Sequence, residues 1–140
     1  MTTLLFGHDT AVADFVARLA PLENPHFGGC IAVGVLNAEG GLIAGAVYHN
    51  HRPSFGTLEF SGAAVSPLAF SPRTVRAILS FPFLRLSKVN KIWAQTSLRN
   101  LRANKLLKGV GFTSEGVLNA HYGIGHHGRL YRMLRSEWAA

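Results

Sequence analysis

Between Asn100 and Gly116 the chain reads Asn-Leu-Arg-Ala-Asn-Lys-Leu-Leu-Lys-Gly-Val-Gly-Phe-Thr-Ser-Glu-Gly, and few local structures fit it. Asn100 can cap a helix with its side-chain oxygen. Ser97 is a rival cap, and the residues alone do not separate the two. Ala103, Leu106, Leu107 and Val110 recur at helical spacing and form one apolar stripe. Gly111 can take the left-handed conformation that ends a helix, and Phe112 opens the next strand. Lys91 to Gln95 reads as a strand before this helix. Phe112 to His121 and Gly128 to Ser136 read as a closing hairpin around Tyr-Gly-Ile-Gly-His-His-Gly. A helix so tightly bracketed by strands must lie against the sheet they form.

The earlier residues extend the same sheet. Leu4 to Phe6 reads as a short first strand. Asp9 or Thr10 can cap a helix to about Ala20, with Val12, Phe15, Val16 and Leu19 on one side, and Pro21 and the turn-rich stretch after it end that helix. Cys30 to Leu36 is an apolar strand. Asn37 to Gly41 is a hairpin turn, Leu42 to His49 the returning strand, and Asn50 to Gly56 a loop. Thr57 to Val65 is a fourth strand and Ser66 to Ser71 another loop. Ser71 as cap and Pro72 at the first helical position start a helix that runs to about Phe81. The expected order is β-α-β-β-β-α-β-α-β-β, an α/β (α+β) fold with a mixed sheet flanked by helices. There is no repeat, low-complexity tract or linker, so residues 1–140 read as one domain.

Charge is distributed unevenly. Residues 1–51 hold one base, Arg18, and four acids, whereas residues 52–140 hold thirteen bases and three acids. A basic field of that kind attracts polyanions, either nucleic acid or a nucleotide bearing several phosphates. No apolar run approaches the ~20 residues needed to cross a membrane. The amino-terminal residues lack the basic and apolar regions of a secretory signal. Cys30 is the single cysteine, so no internal disulfide forms and a reducing cytoplasm is the expected compartment.

The Asn100–Gly116 pattern resembles the C-terminal half of the GCN5-related N-acetyltransferases, the GNAT superfamily. In that family Asn is followed by Ala, a Leu pair, Gly-Phe and often Glu-Gly. Asn100, Ala103, Leu106, Leu107, Gly111, Phe112, Glu115 and Gly116 fall in register. The resemblance extends over roughly residues 42–138 and is similar to small bacterial and prophage-encoded members. Those have an aromatic-Pro-Phe end to the crossover helix, here Phe81-Pro82-Phe83, and a closing Tyr-x-Met-Leu-Arg-x-Glu, here Tyr131 to Glu137. It implies an N-acetyltransferase that takes its acyl group from acetyl-CoA and passes it to a small-molecule or peptide amine, with a homodimer plausible. Two departures stand out. The family's Gly-rich phosphate signature is replaced by Ser-Pro-Leu-Ala-Phe-Ser-Pro-Arg-Thr. The position where many members carry a proton-donating Tyr is Leu107.

An acyl-CoA enzyme must hold a pyrophosphate and grip an extended pantetheine arm. A helix start presents outward N–H groups and the positive end of its dipole. Ser71, Arg73, Thr74 and Arg76 lie at such a start and are the expected phosphate ligands, although either arginine also reads as a solvated helix residue. Ala63, Ala64 and Val65, at the end of the fourth strand, are small enough for pantetheine to approach an open strand edge. Asn100 either reaches the same arm or serves only as a helix cap.

The reaction also needs a base within reach of the amine. Glu59 is the one carboxylate of the central strands, and some GNAT enzymes use a glutamate there. His49 and His51 flank the end of the third strand and titrate near neutrality. Of these we take Glu59 and His51 as the expected catalytic residues. His121, His126 and His127 have no Cys or carboxylate partners at zinc spacing, so no metal site is expected. Two other readings remain: a GNAT-fold binding module that has lost its acid, motivated by Leu107, and a nucleic-acid-binding protein. The latter rests on Arg99, Arg102, Lys105 and Lys108, which recur every three residues along one helix.

Overall fold

A proline inside a helix removes one backbone donor and leaves the carbonyl four residues earlier without its partner. Pro82 does this to Ile78, and the Tyr48 hydroxyl fills the vacancy by donating to Ile78 O at 2.9 Å. The helix therefore continues past the Phe81 stop expected from sequence, to Arg85. The computed structural model describes residues 2–20, 27–86 and 88–140. The expected stop at Pro21 and the turn through His26 lie outside the described residues.

The elements are β1 (Thr3–Leu5), α1 (Asp9–Leu19), β2 (Ile31–Leu36), β3 (Leu42–Arg52), β4 (Thr57–Ala64), a 3-10 turn (Pro67–Ala69), α2 (Pro72–Arg85), β5 (Lys91–Ser97), α3 (Leu101–Val110), β6 (Thr113–Leu118), β7 (Gly128–Leu134) and α4 (Arg135–Ala139). The seven strands form one sheet in the order β1-β2-β3-β4-β5-β7-β6. β4 and β5 are parallel and the other neighbours antiparallel. This is the expected succession with two additions, the 3-10 turn and α4.

The sheet separates two apolar layers. On one face α2 and α3 bury Val75, Ile78, Leu79, Phe83, Leu107 and Val110 against Tyr48, Leu58, Phe60, Ile92 and Tyr131. On the other, α1 buries Val12, Ala13 and Val16 against Ala32 and Val47. α1 sits close because β3 has no side chain at Gly45. A Cβ there would lie 2.8 Å from Val12 Cγ1 and 2.9 Å from Val16 Cγ2. Asp9 does not cap α1, whose N-cap is His8. Its Oδ1 accepts from Ala32 N at 3.0 Å and ties the helix start to β2.

Three local predictions hold in detail. Ser71 Oγ accepts from Thr74 N at 3.1 Å, and Asn100 Oδ1 accepts from Ala103 N at 3.1 Å. Gly111 ends α3 with φ 117°. Ser97, the rival cap, instead accepts from Arg99 N at 3.2 Å. The closing Tyr131–Glu137 segment braces the fold. Tyr131 Oη donates to Asn104 Oδ1 at 2.6 Å, and Met133 is buried in the core. Arg135 donates to Val89 O at 2.7 and 3.0 Å and also to Phe83 O near the end of α2.

Candidate active site

β4 and β5 pair at only three positions, Thr57 with Lys91, Leu58 with Ile92 and Glu59 with Trp93. Beyond Glu59 they part. β4 stays paired with β3 as far as Ala64, and β5 stays paired with β7 as far as Ser97. Val65 N donates to Ile43 O at 2.9 Å, so the odd-numbered residues of β4 aim their backbone groups at β3. By the alternation of an antiparallel ladder, Phe60, Gly62 and Ala64 aim theirs the other way; the Phe60 N–H closes the last rung at Trp93, and the Phe60 carbonyl with the groups of Gly62 and Ala64 faces the opening. A wedge lined with main-chain donors and acceptors thus opens in the middle of the sheet.

The start of α2 follows the same strand. Pro72 has no N–H, Thr74 N is taken by Ser71 Oγ and Val75 N by Ser71 O at 3.0 Å. Arg73 is thereby the first-turn amide free for an anion, and its side chain is exposed. Arg76 lies elsewhere. Its Nη1 donates to Val110 O at 3.0 Å and its Nη2 to Trp138 O at 3.5 Å, which caps the end of α3. Ala63 packs in the α1 layer, Ala64 in the α2 layer, and Val65 is exposed. Asn100 is occupied as a helix cap. One turn on, Asn104 ties this corner together: its Nδ2 donates to Ser97 O at 3.0 Å and Asn100 O at 2.7 Å, and its Oδ1 accepts from Thr96 Oγ1 at 3.0 Å.

Glu59 is buried, 4% exposed, on the α1 side of the sheet where β4 and β5 separate. Its Oε1 accepts from Asn50 Nδ2 at 2.6 Å and its Oε2 from Gln95 Nε2 at 3.2 Å. His49, 9% exposed and directly opposite on β3, brings Nδ1 to 3.9 Å from Oε1. The other His49 nitrogen, Nε2, is 2.8 Å from Ser61 Oγ. Burial holds the His49 pKa below its ordinary value, and the Glu59 charge opposes that only in part. His121, from the loop after β6, hydrogen-bonds Gln95 Oε1 through Nε2. Tyr122 stands edge-on to His121, and burial followed by the Glu59 charge pushes its phenol pKa up. Phe27 meets the His49 ring edge-on at 4.9 Å.

The histidine beside Glu59 is His49, not His51, the histidine expected to be catalytic. Asn50 adopts a left-handed conformation, φ 52°, and the β3–β4 register slips between His49 and Arg52. Asn is among the residues that tolerate this conformation best. The bulge turns the Asn50 side chain onto Glu59, and His51 is exposed. Counting the hairpin register back from Arg52 and Thr57 would have put Asn50 opposite Glu59; the slip in register is what brings His49 there. Nothing local marks Gln95 or His121, which come from distant elements. A separate surface groove lined by Phe6, Ala77, Ser80, Phe81, Leu84 and Arg85 shares no residue with the wedge or the Glu59 cluster.

No family model matches the chain, and no curated protein matches it in sequence. Solved structures do match. The spermidine/spermine N-acetyltransferase SpeG from Vibrio cholerae superposes in mutant form with a TM-score of 0.79 at 18% identity, covering 99% of this chain and 98% of that one. Spermidine N-acetyltransferase from the same organism, in complex with CoA and spermine, gives 0.78 at 18% identity over 99% and 98%. Ribosomal-protein-S5-alanine acetyltransferase from Vibrio fischeri gives 0.75 at 15% identity over 98% and 94%. The chain has the GNAT fold. Leu107, which the sequence resemblance matches to the family's acid Tyr, is buried in the core.

Proposed function

We propose that this chain is an N-acetyltransferase that moves the acetyl group of acetyl-CoA to an amine. The observation that carries the reading is the three-rung pairing of β4 with β5, which frees the Phe60 carbonyl and the inner backbone groups of Gly62 and Ala64. An extended pantetheine amide chain is complementary to such an edge. Arg73, at the start of α2, supplies a cation and an amide for a phosphate. An inward N–H beside the thioester would stabilise the oxyanion as it forms, and holding both reactants together supplies much of the rate. Glu59, with His49 beside it, takes the proton that the ammonium must lose. The neighbours bound to an amine or named for one motivate the acceptor class, and the chain itself leaves polyamines, aminoglycoside-like compounds, peptide N-termini and lysines open. From the resemblance alone the proposal includes a homodimer. A cytoplasmic setting fits the single Cys30, and no described helix is long and apolar enough to cross a membrane.

Thermal unfolding with CoA or acetyl-CoA tests the donor half. Ligand at 100 times its Kd should add about 2.7 kcal/mol of stability; no shift at millimolar concentration overturns it. Thiol release on an amine panel tests the transfer. Binding with no release on any amine favours the catalytically weakened binding module. A second reading rests on α3, where Arg102, Lys105 and Lys108 are exposed with Arg99 just before them, and none forms an ion pair among the described residues. Nucleic-acid binding that falls steeply with salt would support it.

A further inference from the structure

On the α1 side of the sheet, Glu59 stands between two groups of aromatic rings. From β3 comes His49, with Phe27 edge-on to it. From β5 comes Trp93, which pairs with Glu59 in register and shares a face with Gln95 two residues on. Over β5 the loop after β6 lays His121, bonded to Gln95, and Tyr122, edge-on to His121. The backbone makes room for this arrangement. Gly128 opens β7 opposite Ser97, and a Cβ on it would lie 2.8 Å from Tyr122 Cε2. The Tyr122 ring thus lies where a side chain at position 128 would stand, and the residue keeps 44% of its surface exposed. Burial and then the Glu59 charge raise its pKa, so phenol and carboxylate share one neighbourhood.

That neighbourhood holds a single carboxylate. Among the other described acids, Asp9 accepts from Ala32 N, Asp14 is exposed on α1, Glu39 lies in the β2–β3 turn, Glu115 pairs with Lys91 and Glu137 with Arg132. The whole chain carries a formal net charge of +7. One ammonium can be matched by Glu59 and held against aromatic faces, which attract cations. A second ammonium on the same molecule finds no further carboxylate among the described residues of this corner. A charge taken from water without a partner is strongly disfavoured. An aromatic body, by contrast, is complementary to the rings already there.

We propose that the acceptor is an amine with one charge at its reacting end and an aromatic ring two carbons from the nitrogen, its ammonium on Glu59 and its ring against Trp93 and Tyr122. The inference rests on the N-acetyltransferase reading and narrows its acceptor. Two sources share this chemistry: a free arylethylamine, and the N-terminus of a peptide that begins with an aromatic residue. Polyamines and aminoglycosides, charged several times over, do not fit it.

The full chain with acetyl-CoA is offered phenethylamine, Phe-Gly-Gly amide, ethylamine and spermidine, and thiol release is followed. The better aromatic probe should exceed both ethylamine and spermidine in kcat/KM by roughly tenfold or more. The faster of the two aromatic probes identifies the source. Tyr122→Ala and, separately, Gly128→Ala, which displaces the Tyr122 ring, should each cut the preference for that probe over ethylamine by about tenfold. Titration calorimetry of the same amines, with and without CoA, supplies a readout that needs no turnover. Tighter binding of an aromatic probe than of spermidine, with no thiol released on any amine, supports the acceptor class and removes the transfer reading alone. Thiol release fastest on spermidine overturns the acceptor class and keeps the transfer reading. Absence of both binding and turnover with the two aromatic probes overturns it as well. So does an aromatic preference that both folded variants retain in full. The wild-type ranking decides the matter even if a variant fails to fold.

Discussion

Gln95 on β5 donates to Glu59 on β4 at 3.2 Å, two residues past Trp93, where the pairing of these strands ends. The contact spans the mouth of the wedge on the α1 side and passes on through Gln95 Oε1 to His121. A hydrogen bond to a carboxylate is worth about 1.5–3 kcal/mol. Gln95→Leu should therefore lower kcat/KM for amine acetylation by about tenfold. The CoA-induced thermal shift should be unchanged. An equal loss of CoA binding would show that Gln95 serves the donor site instead.

Glu59→Gln keeps the shape and can still accept from Asn50 or Gln95 through its one oxygen, but it removes the basic carboxylate. Thiol release should fall by roughly 10²–10⁴ at neutral pH, the usual range for loss of a positioned base. The melting temperature should stay near that of the parent. Steady-state rates on a responsive amine decide it, and activity within a few-fold of the parent would remove Glu59 from the chemistry.

Burial depresses the pKa of His49 below its ordinary value of 6.5. Above that pH the side chain is neutral both folded and unfolded, and the fold keeps its full stability. As pH falls from 6.5 toward the lower folded pKa, the unfolded chain binds a proton that the native histidine refuses, and stability drops. Urea midpoints measured at descending pH should show this slope in the parent and a shallower one in His49→Gln. Identical slopes in the two would assign the acid sensitivity to other groups.

Gly45→Ala tests how α1 is seated. The added methyl would lie 2.8 and 2.9 Å from the methyls of Val12 and Val16, both fully buried. Overpacking of this kind costs typically about 1–3 kcal/mol. A denaturant midpoint equal to the parent's would mean that the α1 layer yields freely.

Wherever neighbours along the chain determine a structure, the residues announce it. Ser71-Pro72 and Asn100 start helices α2 and α3, and Gly111 ends α3, because caps and left-handed stops are decided within a few residues. Pro82 looked like an ending because its compensation comes from Tyr48, thirty residues before the Ile78 carbonyl it satisfies. Arg76 looked like a phosphate ligand because it opens a helix, yet α2 packs against α3 and the guanidinium meets the Val110 carbonyl at the end of α3. At the site, Glu59 was legible as the carboxylate of the central strands. Its surroundings were not: the turn at Asn50 exchanges one histidine for another, and Gln95 and His121 arrive from beyond the crossover.

The parting of β4 and β5 gives one strand two kinds of amide. Ser61 and Ala63 stay locked to β3, whereas Gly62 and Ala64 turn theirs toward the unpaired side. Hydrogen–deuterium exchange along this strand would then alternate residue by residue, so that a molecule lying in the slot leaves its outline in every second proton.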